Sequence, residues 1–168
     1  SRDDDVARSR RLGIEAPGEA GQIARIMTST LSSVLFDPRR IALIGASTDA
    51  ARLTARAQVY LRRHGFTGEL FPVNPRAETV LNERAYKSLR DVPGQVDFAY
   101  VLVNTQNVEA AIGDCVARGV PVACVLADGF AEAGPEGVAL QRRIVDAAHA
   151  GGLRLLGPNS MGVINVPA

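Results

Sequence analysis

Hydrophobic positions along this chain switch repeatedly between a continuous run and a helical spacing. Residues 40–44, 69–73, 96–103, 121–126 and 153–156 are short, almost unbroken apolar runs, the signature of strands buried on both faces. Between them the spacing becomes three and four. Leu53, Ala57, Tyr60 and Leu61 predict a helix over 53–64 with Arg56, Arg62 and Arg63 outward and Gly65 as its stop. Val108, Ala111, Ile112, Cys115 and Val116 predict one over 107–118, ended by Gly119. Leu140, Ile144 and Ala148 predict a third over 135–149, opened by Pro135 and broken by Gly151-Gly152. Strand and helix in alternation predict an α/β fold, a doubly wound parallel sheet of about five strands with helices on both faces. An earlier stripe, Ile23, Ile26, Met27, Thr30, Leu31, Val34 and Leu35, predicts an amphipathic helix that Asp37-Pro38 ends. Residues 1–22 are polar and glycine-bearing and read as a poorly ordered tail. The expected division is 1–35 for tail and helix, and 36–168 for the α/β domain.

Composition narrows the class. The 168 residues carry a formal charge of +1, no Trp and 5% aromatic residues, which argues against nucleic-acid partners. No apolar run reaches the ~20 residues that cross a bilayer, so no membrane partner is expected. No apolar stretch follows the charged start, so no signal peptide is expected. Two lone cysteines, Cys115 and Cys124, both at positions read as buried, fit a reducing cytoplasm. The chain opens on Ser and stops after Val166-Pro167-Ala168, and reads as a segment of something longer.

Candidate chemistry lies at the strand ends, because ligands of open α/β sheets bind beyond the carboxyl edge. Those ends are Gly45-Ala46-Ser47-Thr48, Asn74-Pro75-Arg76, Val103-Asn104-Thr105, Ala127-Asp128-Gly129-Phe130 and Gly157-Pro158-Asn159-Ser160-Met161-Gly162. Small residues there let a ligand approach backbone N–H groups. The first two ends together look like the opening βαβ unit of a Rossmann-like nucleotide fold. An NAD-binding unit places a carboxylate at the second strand's tip, on the ribose hydroxyl. Here Asn74, Pro75 and Arg76 stand there. A base in place of an acid points to a ribose carrying an extra phosphate, as in coenzyme A or NADP. Neither histidine looks catalytic: His64 and His149 each close a predicted helix just before glycine, where imidazole suits the helix dipole. No catalytic residue and no metal ligand is assigned.

An ordered set of motifs now resembles one family. Asp37-Pro38 before Ile41–Ser47, Gly65-Phe66-Thr67-Gly68 leading into Pro72–Arg76, Tyr86-Lys87-Ser88-Leu89, Val96-Asp97, Gly129-Phe130-Ala131-Glu132 and Leu156-Gly157-Pro158-Asn159-Ser160 resemble the CoA-binding domain of NDP-forming acyl-CoA synthetases, relatives of the succinyl-CoA synthetase α-subunit. The resemblance implies that Gly45–Thr48 and Asn74–Arg76 hold the nucleotide end of CoA. It implies that Leu126, Ala127 and Asp128 line the same cleft, with Gly157–Gly162 towards the thiol. It implies a parent acid–thiol ligase whose other domains or subunits carry the phosphohistidine and the ATP or GTP site. Two positions depart from the family pattern: Leu53 and Thr54 stand near a usual glycine, and Ser160 where cysteine is common. Two other readings compete: an NAD(P)-binding Rossmann domain, and a non-catalytic regulatory or interaction domain.

Overall fold

The computed structural model describes residues 31–163. The predicted tail and most of the Ile23–Leu35 stripe lie outside them; residues 31–36 are helical. The N–H of Asp37 donates to Ser33 O at 2.8 Å before Pro38 stops the turn. From Ser33 onward the described residues form one compact unit.

The elements follow in the predicted alternation: β1 (Arg40–Ile44), α1 (Leu53–Arg63), β2 (Glu69–Val73), a hairpin of β3 (Thr79–Val80) and β4 (Glu83–Arg84), then β5 (Phe98–Val101), α2 (Thr105–Ala117), β6 (Val122–Val125), α3 (Pro135–Ala150) and β7 (Arg154–Leu156). Five strands make one parallel sheet in the order β2-β1-β5-β6-β7. The order reverses between β1 and β5, so the carboxyl edge opens a crevice there.

Helices cover both faces, unequally. On one face α2 and α3 bury Val108, Ile112 and Ile144 against Ala99, Val101, Ala123 and Val125. Among the described residues α1 is the one long helix on the other, over Ile41, Leu43 and Leu70. Its orientation is turned from the predicted one: of the predicted stripe, Ala57 and Leu61 pack on the core and Leu53 and Tyr60 do not. The buried residues of α1 are Ala55 and Gln58, whereas Leu53 and Tyr60 are each 48% exposed. Gln58 is drawn in because its amide donates to Val80 O at 3.0 Å.

That partner sits on the hairpin, which the apolar pattern does not announce. Its two-residue turn has Leu81 at φ 46 and Asn82 at φ 67, the paired positive φ of a twisted hairpin turn. Leucine is a poor advertisement for that conformation. It is held by packing in the cluster beneath α1. The third predicted strand also shortens, to Phe98–Val101, because Asp97 turns its carboxylate onto the Arg39 and Arg40 N–H groups at 3.0 and 2.9 Å.

Candidate functional site

The five strand ends meet along the carboxyl edge through a chain of short contacts. After β1 the backbone turns at Gly45, with φ 91 and its N–H donating to Val73 O at 2.9 Å. A Cβ on Gly45 would lie 2.8 Å from Val103 Cγ1 and 2.9 Å from Val103 N, so only glycine lets the β1 and β5 ends touch. After β2, Asn74 joins two loops. Its Nδ2 donates to Ala46 O at 2.9 Å and its Oδ1 accepts from Arg76 N at 2.8 Å. Its own N–H donates to Tyr86 O at 2.8 Å. Pro75 and Arg76 are exposed, and the Arg76 guanidinium makes no ion pair among the described residues.

The remaining ends are linked in the same way. Val103 leads into Asn104, the residue before α2, whose Oδ1 accepts from Asn107 Nδ2 at 2.7 Å. The Thr105 hydroxyl donates to Asp128 O at 2.7 Å, tying β5 to β6. The Asn159 N–H donates to Ala127 O at 2.9 Å and the Ser160 N–H to Val125 O at 3.1 Å, tying β6 to β7. Gly157 at φ 98 and Asn159 at φ 54 flank Pro158, which follows a cis peptide. Leu126 behaves differently from its neighbours: its side chain joins the cluster beneath α1.

Backbone electrostatics favour an anion here. The first turns of α1 and α2 carry no acidic residue, and neither N-terminus is closed by a side-chain cap. Both present the positive end of a helix dipole to this edge. The Ser47 and Thr48 N–H groups have no partner among the described residues. One carboxylate in the region, Glu132, is already engaged. N–H groups of Glu132, Phe130 and Gly129 hold its carboxyl below the usual range, the last at 2.8 Å. The two thiols are not poised for reaction. Burial pushes Cys115 up to about 12, and it pushes Cys124 up beneath the β7 loop, where its Sγ lies 3.7 Å from Ser160 O. A buried neutral thiol is inert.

Thr105, a residue of the predicted third strand end, braces this edge, as do Tyr86 and Glu132, which were not among the candidate site residues. Glu132 had a sequence signal, a carboxylate three residues after the loop glycine it serves, the spacing of a capping box. Thr105 and Tyr86 act through backbone partners 23 and 12 residues away, which no local pattern shows.

Comparison with known proteins identifies the family to which this fold belongs. Residues 39–166 match the family described as CoA binding domain. The α subunit of an ADP-forming acetate–CoA ligase II from Pyrococcus furiosus is 38% identical over 133 residues, covering 79% of this chain and 29% of that protein. An ADP-forming acetate–CoA ligase II from Archaeoglobus fulgidus is 35% identical over 131 residues, covering 78% of this chain and 20% of that protein. Among solved structures, acetyl-coenzyme A synthetase 1 of Candidatus Korarchaeum cryptofilum, in complex with phosphate and ADP, superposes with a TM-score of 0.72 at 37% identity. It covers 76% of this chain and 27% of that one. The chain thus spans less than a third of the length of these relatives. A family match over most of the chain, on a sheet whose reversal point carries the small-residue turn and the Asn-Pro-Arg tip, makes this chain a member of the CoA-binding domain family.

Proposed function

We propose that this domain holds CoA at its carboxyl edge for an NDP-forming acid–thiol ligase. The nucleotide end lies on Gly45–Thr48 and Asn74–Arg76, and the pantetheine arm runs past Val103, Ala127 and Asp128 towards Pro158 and Asn159. The observation that carries this reading is the Asn74 bridge. It fixes the β1 turn and the β2 tip as one unit, in which the Ser47 and Thr48 N–H groups make no hydrogen bond and the Arg76 guanidinium no ion pair among the described residues. Those are the donors that a pyrophosphate and a ribose 3′-phosphate require.

In the proposed reaction the other ligase parts form an acyl phosphate. The CoA sulfur attacks its carbonyl carbon, the S–C bond forms, and the C–O bond to phosphate breaks. This domain's residues bind and orient CoA. Phosphoryl transfer is left to a histidine elsewhere, because His64 closes α1 and His149 lies in the last turn of α3. In parallel βαβ units the helix C-termini lie at the opposite, amino edge of the sheet.

Calorimetric titration with CoA, dephospho-CoA, NAD and NADP tests the reading. CoA is expected to bind. Removing the 3′-phosphate, or changing Arg76→Ala, is expected to weaken binding about tenfold, the ~1.4 kcal/mol scale of one charge-assisted hydrogen bond. Equal binding of CoA and dephospho-CoA, or preference for NADP, overturns it.

A further inference from the structure

A second surface, which meets the strand ends only at Leu126 and Met161-Gly162, has an apolar demand that the described residues leave unanswered. An open groove of about 970 Å³ runs along the α1 face of the sheet. Of the candidate strand-end and cleft residues, Leu126, Met161 and Gly162 line it. Its floor is Ile41 and Leu43 of β1 with Phe98 and Tyr100 of β5, its walls are α1 and the Met161–Val163 segment, and Leu35 and Pro38 line its margin. Among the described residues, two helices cover the opposite sheet face, and α1 is the one long helix on this face. The apolar stripe of α1 is also wider than the sheet needs. Leu53 and Tyr60 are half exposed on the groove wall while the polar Gln58 is buried beneath. An amphipathic face of that kind is satisfied by a second layer.

Charge identifies the occupant. No carboxylate lines the groove, and Arg56 and His64 do. Helix α1 contains Arg56, Arg62 and Arg63 and no acidic residue. Arg62 is taken by Glu83 at 2.7 Å; Arg56 and Arg63 make no ion pair among the described residues. A second copy of this surface would set cation against cation across a two-fold axis, which argues against self-association. The geometry points instead to a helix with an apolar stripe and acidic flanks, supplied by another part of the ligase and seated beside α1. The source of that helix rests on the ligase reading above. Its position has a consequence for the site. Tyr100 donates its hydroxyl to Met161 O at 3.1 Å, so a helix in the groove presses on the segment that leaves the Pro158–Ser160 loop.

The test is photo-crosslinking in the full ligase assembly. A benzoylphenylalanine replaces Tyr60, and the cross-linked peptides are sequenced by mass spectrometry. The expected partner is a segment outside residues 1–168 of this chain, with apolar residues at helical spacing and Asp or Glu on the flank. Adding Arg56→Glu is expected to cut the yield at least fivefold. Cross-links confined to residues 1–168, within one copy or between two, overturn the inference. So does a basic or non-helical partner, an absence of cross-links, or a yield indifferent to Arg56→Glu. Titration of the same preparations with CoA separates the two proposals and reports folding. Intact CoA binding without a cross-link sinks the docking surface alone, and a cross-link without CoA binding sinks the CoA reading alone.

Discussion

Asn74 illustrates how much a single side chain at the sheet edge can do. In the sequence it is conspicuous for standing where a dinucleotide fold would keep an acid. In the structure it is also a brace, donating to Ala46 O and accepting from Arg76 N. Asn74→Asp keeps the shape and the acceptor but replaces the donor with a charged oxygen facing a carbonyl. Loss of one hydrogen bond costs about 1 kcal/mol, and an unmatched acceptor pair adds to it. CoA affinity measured by calorimetry is therefore expected to fall tenfold or more, and Asn74→Ala is expected to be milder than Asn74→Asp. An unchanged affinity in the Asp variant would show that the two loops do not depend on this bridge. Legibility at this scale divides by the range of the interaction. Gly45, Asn74 and Pro158 announce themselves through backbone needs that only certain residues meet. Glu132 and Thr105 are ordinary letters until the chain path brings N–H and carbonyl partners to them.

At the scale of elements, the pattern of apolar residues locates all five sheet strands and the three long helices, because burial on both faces leaves a continuous signal. It mistakes the orientation of α1, since periodicity reports that a stripe is apolar and not which neighbour covers it. It misses the β3–β4 hairpin, whose strands are two residues each, too short for any period. The amino edge has its own brace, equally invisible to periodicity. Asp97, 14% exposed at its side chain, pairs with Arg40 at 2.8 Å and accepts from the Arg39 and Arg40 N–H groups. Burial raises the carboxyl's pKa, but the Arg40 guanidinium and these N–H groups outweigh it and hold the group below its ordinary 3.8. A depressed carboxyl stabilises the fold fully above the unfolded value and loses that contribution as pH falls through the folded one. Asp97→Asn is expected to cost about 2 kcal/mol at neutral pH, the scale of hydrogen bonds to a charged group. The difference in melting temperature between variant and parent is expected to shrink as the pH is lowered below about 3.8. A pH-independent difference would mean that the ionised carboxylate is not what braces the β1–β5 start.

Taken as a whole, the sheet separates two tasks between its edges. At the amino edge Asp97 and Arg40 join the starts of β1 and β5. At the carboxyl edge the contacts from Asn74 through Gly45 and Thr105 to Asn159 join the ends of the same strands. Ligand linkage makes that division measurable. A ligand that binds only the folded state stabilises it by RT ln(1 + [L]/Kd), about 2.7 kcal/mol at a hundred times Kd. In a domain of this size that raises the melting temperature by roughly 10 °C. CoA at that excess is expected to produce such a rise in the parent chain. Asp97→Asn is expected to start from a lower melting temperature and show the same rise, because the amino edge touches no part of the proposed site. Asn74→Asp at the same CoA concentration is expected to lose about 1.3 kcal/mol of the stabilisation, about half the rise, if affinity falls tenfold. Thermal scans of the three proteins with and without CoA therefore read binding and folding on separate axes. Loss of the CoA rise in Asp97→Asn, or its full retention in Asn74→Asp, would show that the two edges are not independent in the way the contacts imply.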